Sequence, residues 1–197
     1  MDKKQEEQLR IYAKEHHVPV MFEDGLAFLI QLVKENEIKS FLEIGTAIAK
    51  TAITVASLGK NIEVVTIERD PEMIKEAKIN IANSNVSEQI QLIEGDANEV
   101  ECPLQEFDCI FIDAAKAQYQ RFFAKYSPLL SQDGIIISDN MNFHGMVENP
   151  ELTHNRNTKH LVRKIRAYRE FLKNLNEFET EFYDVGDGVA VTRRKKS

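Results

Sequence analysis

Two short stretches place groups that could do chemistry at matching positions. FIDAAK carries Asp113 and Lys116, and ISDN carries Asp139 and Asn140, each stretch closing a run of apolar residues. Three hard oxygen donors with no His or Cys among them suit Mg2+ or a similar hard cation. Such an ion rarely takes a full set of protein ligands, which leaves positions for water and for a substrate oxygen. Lys116 would stand beside that ion, where a neutral amine can act as general base toward a coordinated hydroxyl. The bland alternative makes Lys116 a solvated helix-start residue paired with Asp113.

Three more acidic residues end apolar runs in the same way: Glu43 in LEIGTA, Glu68 in IEVVTIE and Asp96 in EGDA. Any one of them alone reads as a turn or helix cap. As a series they describe a ligand. Glu68, 23 residues beyond Gly45, is placed to accept hydrogen bonds from both hydroxyls of a ribose. Asp96 suits an adenine amino group, and Glu43 suits an α-amino group. Ribose, adenine and amino acid together spell S-adenosylmethionine. The loop EIGTAIAKTA holds a single glycine, Gly45. It is therefore neither a G-x-G-x-x-G dinucleotide loop nor a P-loop, which disfavours an NAD-dependent dehydrogenase.

These residues need a frame that brings strand ends together. Apolar runs at 38–44, 62–68, 90–96, 107–113 and 134–140 read as buried strands. Helical patterns separate them: one after Gly45 stopped near Gly59, one from Asp70-Pro71 to about Asn83, and one over roughly 117–130. A longer amphipathic helix follows over roughly 156–174. FETEFYDV and GVAVTRR close the chain as a hairpin about Gly186-Asp187-Gly188, so the last strand runs antiparallel to its neighbour. Residues 3–34 read as one or two helices broken near Val18-Pro19. The pattern predicts an α/β, Rossmann-like, doubly wound and mostly parallel sheet of about seven strands with an antiparallel final strand. One domain is expected over 1–197, with a helical segment at 1–37 before the Rossmann-like core. In such a sheet ligands gather outside the carboxyl ends of the strands, where the acidic residues fall.

The chain has 197 residues, 43% of them hydrophobic, enough for one sizeable core. Its net charge of −7 argues against a general affinity for nucleic acid, but the distribution is uneven. Residues 151–197 hold 11 Lys and Arg against 7 Asp and Glu, while the first 150 hold 14 against 25. The basic stretches are HNRNTKHLVRKIRAYR and RRKK, whose plain reading is a solvated helix face and a common kind of tail. Cys102 falls in a loop and Cys109 in an apolar strand, so neither a disulfide nor a catalytic thiol is expected. No apolar run approaches a membrane span. The charged start MDKKQEEQLR does not read as a secretory signal, and a cytoplasmic protein is expected.

LEIGTAIAKTAI, TIERD, EGDA, FIDAAKAQY and ISDN resemble the cation-dependent O-methyltransferases, the class of catechol and caffeoyl-CoA O-methyltransferases. EHHVPVM, FIDAAKAQYQRFF and VGDGVAV are similar to the bacterial tRNA 5-hydroxyuridine methyltransferases within it. The resemblance implies the S-adenosylmethionine-dependent methyltransferase fold, with metal ligation by Asp113, Asp139 and Asn140 and Lys116 near the reacting oxygen. It also implies donor contacts from Met21, Glu43, Gly45, Thr51, Glu68, Asp96 and Asp113. The implied substrate is the tRNA anticodon wobble position, with a homodimer as the suggested assembly. A small-molecule catechol-type acceptor is the alternative reading, and a catalytically silent donor-binding module is another. One departure stands out: Ala49-Lys50-Thr51 replaces the family's usual Gly-Tyr-Ser, which places a methyl group where backbone is expected to approach the donor.

Overall fold

The computed structural model describes residues 1–104 and 106–196. Its centre is five parallel strands: β1 (Ser40–Ile44), β2 (Glu63–Glu68), β3 (Ile90–Glu94), β4 (Phe107–Ile112) and β5 (Leu130–Ser138). The closing hairpin adds β6 (Phe178–Tyr183) and β7 (Val189–Arg194), giving the order β3-β2-β1-β4-β5-β7-β6. Only β7 is reversed, pairing antiparallel with both β5 and β6. The expected mixed sheet is present, with its antiparallel strand inserted between β5 and β6.

Among the described residues six α-helices accompany the sheet: α1 (Lys3–Glu15), α2 (Glu23–Glu35), α3 (Lys50–Ala56), α4 (Pro71–Ala82), α5 (Tyr119–Tyr126) and α6 (Arg156–Lys173). Strand side chains alternate faces, so one strand feeds two cores. Phe41 of β1 joins Leu29, Ile53, Ala77 and Phe111 on one face. Leu42, its neighbour, joins Ile110, Phe122, Tyr168 and Leu172 on the other. Burying each such side chain contributes about 1.5–3 kcal/mol. Truncating one to alanine, as in Ile53→Ala, would cost about 2–5 kcal/mol.

Several boundaries differ from the sequence reading. The helix after β1 starts only at Lys50, because Ala47 and Ala49 hold left-handed φ values of 46° and 65°. The expected 117–130 helix is α5 alone, flanked by single 3-10 turns at Lys116–Gln118 and Ser127–Leu129, the second containing Pro128. β1 starts at Ser40 rather than residue 38, and β5 extends back through Gly134 to Leu130. Other expectations hold: Asp70 caps α4 by accepting from the Glu72 and Met73 amides, and the break before α2 spans Val18-Pro19.

From β1 the chain winds outward to β2 and β3, then returns to β4 and β5 on the other side. The crevice outside the carboxyl ends of β1 and β4 is therefore the switch point where such folds bind ligands. Gly45 sits there at φ +102°, and a Cβ on it would stand 2.1 Å from the Asp113 carbonyl oxygen. Only glycine allows the two loops to meet this closely.

Candidate active site at the switch point

A cavity of about 280 Å3 opens at this edge, near the lower end of small-molecule sites. Met21, Gly45, Glu68, Asp96, Asp113, Lys116, Asp139 and Asn140 all line it. Eight of the ten residues singled out from sequence thus converge on one space. Val18 to Met21, the segment between α1 and α2, lines it as well.

Glu43 and Thr51 do not line it. Glu43 is 1% exposed beneath the Gly45 loop, where the Thr66 hydroxyl donates to it at 2.6 Å. Burial holds its carboxyl well above the usual carboxylate range, and the charges of Asp113 and Glu68 push the same way. It is placed as a buried acid against Thr66, not as a counter-ion facing the cavity. Thr51 lies buried in the first turn of α3. Ala49 sends its methyl group into the core and not toward the cavity. The Gly-to-Ala departure therefore acts on the left-handed backbone of the α3 N-cap.

Asp113 and Asp139 follow neighbouring strands paired at Ile112 and Ser138, which fixes the two carboxyls side by side. Burial raises the Asp113 carboxyl, with Lys116 opposing. Asp139, 2% exposed, is pushed up to about 7, by burial first and by Asp113 second. Its Oδ1 is buried with no hydrogen-bond partner among the described residues. An orphaned oxygen on one of two crowded carboxylates is what a hard dication would relieve, and the donor set fits one. No group of three or more His, Cys, Asp or Glu side chains suited to a metal occurs among the described residues. A cation here would lean on the Asn140 carboxamide and on water. Lys116 Nζ lies 5.8 Å from the centre of the Phe143 ring, at the rim of the same space.

On the β2–β3 side, Glu68 already accepts three backbone hydrogen bonds, from Ala47, Arg69 and Asp70 at 2.8, 2.9 and 3.0 Å. A carboxylate has about four acceptor positions, so one remains for a ligand hydroxyl. Asp96 accepts twice from Asn98 and once from Arg69, and these bonds hold its carboxyl below the usual range. It too keeps one position.

The sequence reading missed Asp187, which is 5% exposed and arrives from the β6–β7 turn to lie against Asn140. Its only signal was VGDGVAV, which reads as a turn. The basic stretches need correction as well. RRKK is not a loose tail: Arg193 and Arg194 belong to β7, and Arg194 donates to the Ser127 and Leu130 carbonyls. Arg193 pairs with Ile135, at the end of β5 away from Asp139. On α6, Arg166 donates to the Val147 carbonyl, and Arg169 to the Met141 carbonyl and Asn142. They tie down the loop that follows Asn140. Arg163 and Lys164 are exposed on the same helix.

The O-methyltransferase family model matches residues 2–195. Catechol O-methyltransferase from Niastella koreensis is 35% identical over 127 residues, covering 61% of this chain and 57% of that protein. Tapetum-specific methyltransferase 1 from Arabidopsis thaliana is 30% identical over 90% of this chain and 77% of its own length. A Staphylococcus aureus structure assigned to caffeoyl-CoA O-methyltransferase superposes with a TM-score of 0.91 at 38% identity, covering 96% of this chain and 92% of that one.

Proposed function

This chain belongs to the O-methyltransferase family, and we propose that it transfers the methyl group of S-adenosylmethionine to a hydroxyl held beside a second oxygen. Mg2+ is the proposed metal, at Asp113, Asp139 and Asn140. The observation that carries this reading is one cavity at the β1–β4 switch point, with two part-satisfied acidic acceptors at one end and two crowded carboxylates at the other.

A dication bound there would acidify a coordinated hydroxyl and hold its oxygen in place. Lys116, which lines the cavity with Asp113, would in its neutral form receive the hydroxyl proton on Nζ. Glu68 and Asp96 orient the donor, each through its remaining acceptor position. Met21 and its neighbours line the same cavity and would shield the reacting groups from water.

The acceptor we propose is 5-hydroxyuridine at the tRNA wobble position. Its hydroxyl and neighbouring carbonyl oxygen form a chelating pair like that of a catechol. EHHVPVM, FIDAAKAQYQRFF and VGDGVAV support this reading, as do Arg163 and Lys164, exposed on the helix whose Arg166 and Arg169 bind the loop after Asn140. The test is incubation with S-adenosylmethionine, Mg2+ and tRNA lacking this methyl group, followed by nucleoside mass analysis for 5-methoxyuridine. The names of the relatives favour a second acceptor, a free catechol. Methylation of catechol with none of tRNA would establish that reading instead.

A further inference from the structure

We propose that Asp187 is a positioning residue that fixes which end of the Asn140 carboxamide faces the cavity. The inference rests on the reading of Asp113, Asp139 and Asn140 as cation ligands, and goes beyond it to a residue on a different element.

Asn140 must present its oxygen, not its NH2 group, to act as a ligand. The two ends of a carboxamide have nearly the same shape, so their neighbours decide the orientation. Asn140 Nδ2 stands 3.4 Å from Asp139 Oδ2 and 3.5 Å from Asp187 Oδ2. With a cation in place both neighbours are carboxylates, which accept and do not donate. An amide lying between them turns its two N–H bonds toward them and leaves Oδ1 for the cavity. The reverse orientation would set Oδ1 against two carboxylate oxygens and offer a donor to a cation.

Asp187 is held firmly enough to do this. It accepts from the His144 amide through its other oxygen, while His144 Nδ1 lies 3.8 Å from Oδ2. The backbones of the two loops are also joined: the Met141 amide donates to the Gly188 carbonyl at 2.8 Å and the Asn142 amide to the Asp187 carbonyl at 2.7 Å. Gly188, at φ +82°, permits this approach, since a Cβ there would meet the Asn142 side chain at 2.6 Å. Asn140 itself sits in the left-handed region at φ +60°, with its carboxamide within reach of the turn.

Asp187→Asn tests the idea because it keeps the shape and reverses the polarity. Its oxygen can still accept from the His144 amide, but its NH2 now faces residue 140 and turns that amide around. Mg2+ affinity is to be read by calorimetry and by thermal unfolding, without methyl donor or acceptor. The expected loss is about 10- to 100-fold. Adding Asn140→Asp should then restore binding, since a carboxylate at 140 accepts from Asn at 187 and still offers an oxygen to the ion. That gain must exceed the effect of Asn140→Asp in the native background, where the new carboxylate meets Asp187. A hairpin merely loosened at 187 would show no such rescue.

Unchanged Mg2+ affinity in Asp187→Asn, or an Asn140→Asp effect of equal size in both backgrounds, overturns the inference. No Mg2+ binding by the unaltered chain overturns the ligand reading and this inference with it. If Asp187→Asn does not fold, Asp187→Ser is measured in its place, and undiminished affinity there is equally fatal.

Discussion

Asp139→Asn should make the metal-free protein more stable while removing its response to Mg2+. Asp139 is 2% exposed and its carboxyl is pushed up to about 7 from an ordinary 3.8, by burial and then by Asp113. The sign follows from where the proton sits. Between those two values the unfolded chain has lost the proton and the folded chain has kept it. Stability from this group is therefore complete below about pH 4 and declines as pH rises toward 7. At about 1.4 kcal/mol per pH unit, the span from 3.8 to about 7 caps the loss at about 4 kcal/mol. Asparagine has nothing to titrate. In chelator, urea unfolding should place the variant above the native chain by up to that amount near pH 8, with the gap closing near pH 4. Mg2+ at about 100 times its dissociation constant should return about 2.7 kcal/mol to the native chain, roughly 5–10 °C in melting temperature, and nothing to the variant. A variant no more stable at high pH, or one that Mg2+ stabilises equally, would refute the reasoning.

Glu43→Gln should flatten another pH dependence: the buried carboxyl is held well above 4.5, so native stability should fall by about 1.4 kcal/mol per pH unit from about pH 4.5 upward. Parallel urea-unfolding profiles for the native chain and the Glu43→Gln variant between about pH 5 and 8 would contradict that placement. Lys116→Met should lower the catalytic rate by about 100-fold or more while leaving the donor dissociation constant unchanged. The deficit should shrink as pH rises and the acceptor hydroxyl ionises unaided; a deficit constant with pH would assign Lys116 to positioning instead. Neutralising Arg163 and Lys164 together should weaken tRNA binding and reduce the slope of log affinity against log salt by about 0.7–0.9 for each phosphate no longer neutralised. Filter binding across a salt series checks this, and an unchanged slope would make both residues a solvated helix face.

What the sequence revealed and what it hid have physical causes. Five apolar runs ending in acids were legible because strand burial and the ligand edge both leave local traces: β-branched runs, then abrupt polarity. Converging side chains needed only the topology, which the alternation of elements supplied. Glu43 could not be placed that way. It lies one residue before the end of β1, so the alternation of the strand turns it into the interior toward Thr66, away from the edge where Gly45 opens the cavity. The α3 start was obscured for a different reason. Its left-handed residues are alanines, which carry no local turn signal. Asp187 was hidden because its role depends on β7 inserting beside β5, a long-range pairing that brings residues 140 and 187 within hydrogen-bond reach.

The same pairing divides the basic carboxy-terminal charge into groups with different work. Because β7 runs against β5, Arg193 and Arg194 are carried to the sheet end away from the cavity, where Arg194 is spent on backbone carbonyls. Arg166 and Arg169 face the 141–149 loop and hold it. Lys173, in the last turn of α6, pairs with Glu170 at 2.7 Å. What remains on α6 is Arg156, Lys159, His160, Arg163 and Lys164, all exposed, none with a side-chain hydrogen bond or ion pair among the described residues. Steps of three and four put Arg156, Lys159, His160 and Arg163 on one strip of the helix, opposite the buried Val162, Ile165, Tyr168 and Leu172. That strip begins on the chain soon after the loop that follows Asn140, on the helix that packs against the Lys116 turn. On the proposed tRNA reading, this strip and not the RRKK end of β7 is the basic surface expected to take the phosphates. The net charge of the last 47 residues therefore overstates the unpaired basic surface, and the substitutions that test the proposed tRNA substrate lie in the first half of α6.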